Sequence, residues 1–124
     1  MGLFKKDKPS FLPNLETHAG RARGASGKLN YWDIKNSSAE PFADISKAVI
    51  AELAESGLPR SSTIYFNFYL CGETISSAHV SVMVTGAPED QRKKAVKHLK
   101  KSPVVTNYPG IKIDHWEGPP VVRQ

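Results

Sequence analysis

Few side chains of this sequence could take part in chemistry, and none stands in a recognised catalytic pattern. Cys71 is the single cysteine and has no histidine near it in sequence, whereas a nucleophilic thiol needs neighbours that stabilise the thiolate. The four histidines, among them His79, are scattered and lack a second thiol with which to form a structural zinc site. Paired carboxylates and a phosphate-binding glycine loop are also absent from the sequence. The sequence therefore predicts a protein that is not an enzyme and that uses no metal, cofactor or small-molecule substrate.

The basic residues are more informative, because they fall in two segments. Residues 1–28 and residues 88–102 contain six lysines and arginines each, and each segment has a net charge of +4 although the whole chain has only +5. Such clustering favours an anionic partner, which is either a lipid surface or nucleic acid. The alternative is a solvated tail followed by an ordinary lysine-rich helix. The candidate phosphate-binding residues are Lys5, Lys6, Lys8, Arg21, Arg23, Arg92, Lys93, Lys97, Lys100 and Lys101.

These side chains are arranged around a β-hairpin that the sequence predicts over residues 62–85. Apolar residues at 64, 66, 68 and 70 and at 78, 80, 82 and 84 alternate with mostly polar ones, which is the period of a half-buried strand. A three-residue loop of Gly72, Glu73 and Thr74 brings the two apolar sets together, and it pairs Phe68 with Ala78.

The other side of this hairpin is a second candidate surface. Tyr65, Asn67, Tyr69 and His79 share one side of the two strands, where RNA bases or another subunit could stack if helices cover only the opposite side. The alternative is that the N-terminal arm or a dimer partner covers this side. The βαββαβ order is shared with RNA-recognition modules, but residues 75–85 lack the basic residue, glycines and aromatics of their central strand.

The remaining elements predict an α+β fold of the ferredoxin-like type. A strand over residues 28–35 precedes a helix that begins near Pro41 and ends at Gly57, and a second helix begins at Pro88 and ends before Pro103. Residues 104–105 and 111–116 read as extended. The result is a mainly antiparallel four-stranded sheet with both helices on one face, in a single domain over residues 27–117. Residues 1–26 are expected to form a flexible basic arm and residues 118–124 a tail.

The sequence has no apolar run as long as a membrane span and no secretory signal. Together with the single cysteine, this favours the cytoplasm, with peripheral attachment to a membrane or incorporation into a virion as further expectations. Gly2 suggests myristoylation, although the usual motif has serine or threonine where Lys6 stands.

Three stretches resemble the matrix proteins of rhabdoviruses. They are the basic N-terminus at residues 1–6, the strand followed by Pro41, Phe42, Ala43 and Asp44 at the start of a helix, and the aromatic strand that ends in Leu70, Cys71 and Gly72. The resemblance covers the first half of the chain. The sequence as a whole departs from the family in being short and in lacking a Pro-Pro-x-Tyr budding motif. It implies a small, basic, non-enzymatic viral matrix protein that coats the inner membrane leaflet, condenses the nucleocapsid and self-associates during virion assembly.

Three functions are therefore expected. The first is a matrix-like interaction protein that binds anionic membrane or nucleoprotein and self-associates. The second is a protein that binds single-stranded RNA or DNA through the open sheet face and the basic helix. The third is a homo-oligomeric structural subunit.

Overall fold

A computed structural model describes residues 11–12, 15–26, 28–36, 39–59 and 63–117. It confirms the α+β class, with a five-stranded sheet and four helices in the described ranges. In chain order the elements are α1 (Leu15–His18), β1 (Ala19–Ser26), β2 (Leu29–Ile34), α2 (Phe42–Ala54), β3 (Ile64–Gly72), a 3₁₀ turn (Ile75–Ser77), β4 (His79–Gly86), α3 (Glu89–Lys100), α4 (Pro103–Asn107) and β5 (Lys112–His115). None of these helices has the length and apolar character that a bilayer span requires.

The sheet is mixed, so the ferredoxin-like arrangement predicted from the sequence is wrong. The strands lie in the order β1-β2-β3-β4-β5, with β4 and β5 parallel and every other neighbouring pair antiparallel. β2 pairs with β3, as in Tyr31 opposite Cys71, and β5 joins β4 at the edge of the sheet. The periodicity identified most strands but carries no information about which strands become neighbours.

The described part of the expected arm contains a short helix and a strand, neither of which was predicted from the sequence. Residues 19–26 form the edge strand β1, which pairs with β2 through two irregularities in register. Before it, Leu12 is buried in the core, and Phe11 packs edge-on against Phe42 and Tyr108. The strand was missed because its residues are small or charged and give no apolar alternation, whereas the pairing uses backbone groups that every residue has.

The central hairpin has the predicted faces but a different register. Phe68 lies opposite Val82, not Ala78, and Leu70 lies opposite Val80. Thr74 and Ser77 cap the 3₁₀ turn reciprocally, and this turn lengthens the connection between β3 and β4. A shift by an even number of residues keeps the apolar side chains on one face, which is why periodicity predicted the faces and not the loop.

The core lies between the helices and one face of the sheet, which we call the helix face. Its largest fully buried side chains are Phe42, Ile45, Val49, Leu70, Val80, Val82, Val84, Leu99 and Val104. Val104 belongs to α4 and not to an extended segment as predicted, since the Ser102 hydroxyl accepts a hydrogen bond from the Val104 N–H and Pro103 occupies a first-turn position.

The end of β4 offers a test of this packing. Gly86 has φ +79°, and a Cβ placed on it would collide with the carbonyl oxygen of Thr63. Gly57 has a similar φ of +82°, but the nearest atom to a Cβ placed on it would be the flexible Lys94 Nζ at 3.6 Å.

We expect Gly57→Ala to lower the free energy of unfolding by about 1 to 2 kcal/mol, the usual cost of left-handed backbone. Gly86→Ala should lower it by about 3 kcal/mol or more, because backbone must also move. Urea unfolding followed by tryptophan fluorescence measures both, and equal losses would contradict the described packing at Thr63.

Candidate anion-binding surface

The predicted basic residues do not form one patch. Lys5, Lys6 and Lys8 lie outside the described residues. Arg21 and Arg23 lie on β1 at one edge of the sheet, whereas α3 packs on β4 and β5 at the other edge. Three strand spacings separate β1 from β4, which is about 14 Å. Arg23 is also engaged, because its Nε donates to the Asp33 carboxylate over 2.9 Å.

Three lysines of α3 and the lysine at its C-cap share one exposed face, which we call the lysine face; it contains Lys93, Lys97, Lys100 and Lys101. Lys94 of the same helix donates instead to the Gly57 carbonyl at 3.4 Å. Lys93 lies 3.5 Å from Glu89, in a pair that is about two-thirds exposed. Within the described residues no carboxylate lies within 4 Å of the other three lysines. The opposite face of α3 is buried through Ala95, Val96 and Leu99. Burial of the apolar side thus directs the lysines to the surface.

Arg92 is the one buried residue among the described members of the predicted phosphate-binding set. It is only 7 % exposed, and its Nη1 donates to the carbonyl oxygens of Ala87 at 2.8 Å and Gly86 at 3.5 Å. Its Nε donates to His115 Nδ1 at 3.4 Å, which ties the start of α3 to β5. Both carbonyls belong to residues with positive φ, so the guanidinium stabilises a tight turn between β4 and α3. The geometry gives Arg92 a structural role.

The second candidate surface is the sheet side opposite the helix face, which we call the tyrosine face. The structure leaves Tyr65 60 % exposed and Asn67 exposed, and it half-buries His79. Tyr69, by contrast, is only 6 % exposed, because it packs against Trp116 with ring centroids 6.2 Å apart. A base could stack on Tyr65 but would have to displace Trp116 to reach Tyr69.

Sequence reasoning missed the aromatic cluster beneath Trp116. Tyr31 packs edge-on against the Trp116 ring at 4.4 Å, and Met83 and Cys71 are buried beside them. The sequence predicted a strand over residues 28–35. It could not place Tyr31 beside Cys71, because that contact depends on the pairing of β2 with β3.

The environment of Cys71 opposes nucleophilic thiol chemistry, although the sheet places a histidine beside it. Cys71 and His79 are paired across β3 and β4. Burial raises the pKa of the Cys71 thiol, the nearby Asp114 carboxylate raises it further, and the hydrogen bond with the Tyr31 hydroxyl only partly offsets this. Burial together with the Lys112 charge lowers the pKa of His79. The described residues also contain no cluster of histidine, cysteine and carboxylate side chains that could hold a metal ion.

The structural role of Arg92 can be tested against an exposed cation on the same helix. Arg92→Met should lower the free energy of unfolding by about 2 to 4 kcal/mol, because two carbonyl oxygens lose a charged donor in a buried site. Lys97→Met, at an exposed position, should change it by about 0.5 kcal/mol or less. Chemical denaturation measures both. A loss at Arg92 no larger than the loss at Lys97 would contradict the structural role.

The lowered pKa of His79 predicts that the free energy of unfolding depends on pH, and it also gives the sign of that dependence. Above the ordinary histidine pKa of about 6.5, His79 is neutral in both the folded and unfolded states and contributes nothing. As the pH falls below that value, the unfolded chain takes up a proton that the folded chain resists, so folded stability is lost until the pH reaches the folded pKa. Urea unfolding between about pH 7.5 and 5 should show a smaller decline for His79→Gln and an intermediate one for Lys112→Gln. The same decline in all three proteins would refute the assignment.

No family model matches this chain, and the comparisons found neither a curated protein nor a solved structure similar to it.

Proposed function

We propose that this protein is a non-enzymatic nucleic-acid-binding protein whose lysine face contacts phosphates without reading base sequence. The observation that carries the proposal is the set of three exposed lysines on α3, Lys97, Lys100 and Lys101, that have no carboxylate partner within the described residues. Unpaired ammonium groups on a rigid helix are available to replace the counterions of a polyanion.

The dimensions of the lysine face suit this role. Lys93 and Lys101 are eight residues apart, which is about 12 Å along a helix. A nucleic-acid duplex presents one phosphate for about every 1.7 Å of its axis, so about seven phosphates lie within that length. Each lysine of the face can therefore meet a separate phosphate, and the contacts add without any requirement for base sequence.

Nucleic acid is a better partner for this surface than a lipid bilayer. Within the described residues the large hydrophobic side chains that are clearly exposed are Leu29, Ile50 and Tyr65, and none of them lies on α3. The lysine face thus offers charge without the apolar side chains that enter the headgroup region of a membrane. The membrane-coating part of a matrix-like role would depend on Lys5, Lys6 and Lys8, which lie outside the described residues.

Binding of single strands on the tyrosine face is the second candidate, and the exposed Tyr65 and Asn67 side chains favour it. This surface offers one accessible ring, whereas single-strand binders usually stack successive bases on several. The lysine face therefore remains the leading proposal, and Tyr65 provides the variant that distinguishes the two.

A charge-matched pair of triple variants tests the proposal. Lys97, Lys100 and Lys101 are changed to glutamine in one protein, and the exposed lysines 35, 47 and 112 are changed to glutamine in the control. Fluorescence anisotropy measures binding to an unrelated-sequence duplex and to a single strand between about 50 and 200 mM salt. We expect the α3 variant to bind at least about tenfold more weakly at low salt. The slope of log K against log salt should be less steep by about 2 to 3, because up to three phosphate contacts are lost.

The same titrations separate the alternatives. Equal loss in the two triple variants would mean that net charge alone drives binding, and it would contradict a specific lysine face. Weaker binding by Tyr65→Ala, which leaves the charge unchanged, would indicate that the binding site is on the tyrosine face. Binding to anionic liposomes in place of nucleic acid, at about 1 kcal/mol per lysine, would favour the matrix-like alternative.

A further inference from the structure

Half of strand β3 has a free edge in the described part of the chain. β2 pairs with β3 only between Tyr69 and Gly72, whereas Ile64, the first residue of β3, and the four residues after it pair with β4 alone. The strands separate here because β2 ends at Ile34 and the chain turns towards α2. The N–H and C=O groups of alternate residues in this five-residue stretch therefore face outwards, which is the arrangement that another strand can join.

An open cleft of about 640 Å³ lies beside this free edge. It is lined by residues 66–69 of β3 and by Ser46 and Ile50 of α2. The end of β2, at Asp33 and Ile34, and Arg23 of β1 complete the lining. Ile50 is 59 % exposed and Tyr65, in the same stretch of β3, is 60 % exposed. Two of the three clearly exposed large hydrophobics in the described residues thus flank the same strand edge.

The geometry points to a second copy of this chain as the occupant, and we propose a two-fold dimer in which the free β3 edges pair antiparallel about Phe66. Ile64 then lies opposite Phe68 of the second copy, and Tyr65 lies opposite its Asn67. All apolar side chains of the free edge meet on the helix face, and the polar ones meet on the tyrosine face. A register shifted by one residue would bring apolar side chains beside polar ones, so the sequence of this edge is self-complementary.

Charge permits this pairing. Residues 63–69 contain no lysine, arginine, aspartate, glutamate or proline. Natural edge strands usually carry such residues because they prevent pairing with another chain. No like charges oppose one another in the two-fold register, and no proline removes an N–H from the outer edge of the stretch.

The area of the proposed dimer interface sets the expected strength of dimerisation. Five residues extend about 17 Å, and the sheet together with one helix layer is about 20 Å deep. The dimer interface is therefore at or below the lower end of the sizes found for specific complexes. We expect a reversible dimer with a dissociation constant in the micromolar range, so that monomer prevails in dilute solution.

The dimer does not depend on the proposed nucleic-acid binding, although it would assist it. The two-fold axis stands perpendicular to the sheet, so the helices of both copies cover the same side of one continuous sheet. Both lysine faces then belong to one side of the dimer, where a long polyanion can contact both at once.

Sedimentation equilibrium of the full chain at about 5 to 500 μM, in about 0.5 M salt and without nucleic acid, tests the proposal. Ile50→Glu and Tyr65→Glu should each raise the dimer dissociation constant at least about tenfold, because they place charge at the pairing edge. Leu29→Glu is the matched control at an exposed apolar position of β2, and it should change the constant less than about twofold. Circular dichroism verifies that each variant is folded.

Cross-linking tests the register. Tyr65→Cys and Asn67→Cys proteins, each also carrying Cys71→Ser, are mixed and oxidised, and the mixture should form a disulfide faster than either protein alone since these positions are opposite each other. A monomer at every concentration would overturn the dimer. Equal weakening by Leu29→Glu, or faster cross-linking within one variant than between the two, would overturn the proposed edge or its register.

Discussion

The antiparallel pairing of β3 with β4 is the constraint on which the rest of this structure depends. Its eight residue pairs run from Ile64 opposite Gly86 to Cys71 opposite His79. Because strand side chains alternate, this register fixes a helix face of valines, leucine and phenylalanines and a tyrosine face of mixed character. The helices then cover the first face, and their outer surfaces are exposed to solvent.

Local sequence patterns predicted the features that depend on residues close in sequence. They failed for features that depend on contacts between distant parts of the chain. The apolar alternation of β3 and β4 and the capping residues of α2 and α3 gave these elements close to their observed bounds. The order of the strands, the place of β1 and the helical state of Val104 depend on backbone pairing and tertiary packing, for which a single sequence carries little signal. The same limit applies to Tyr31, whose contact with Trp116 joins residues 85 positions apart.

The basic residues show how one residue type acquires several roles through tertiary structure. Counted along the sequence, Arg92 and Lys97 are equivalent members of one positive cluster. In the fold, Arg92 is buried against two carbonyls, Arg23 is paired with Asp33, and Lys97 is exposed. Charge clustering therefore predicted that α3 is a candidate site, but burial decides which of its cations can reach a partner.

The two tryptophans lie on opposite sides of the sheet. Trp32 packs against the core on the helix face. Trp116 packs over Tyr31 and Tyr69, and its backbone N–H donates to the Val84 carbonyl at 2.9 Å. Each indole thus has a distinct optical environment, one against the apolar core and one beside two phenols. The protein contains a built-in emission probe for each face, so that single-tryptophan forms would report separately on events at the helix layer and at the opposite surface.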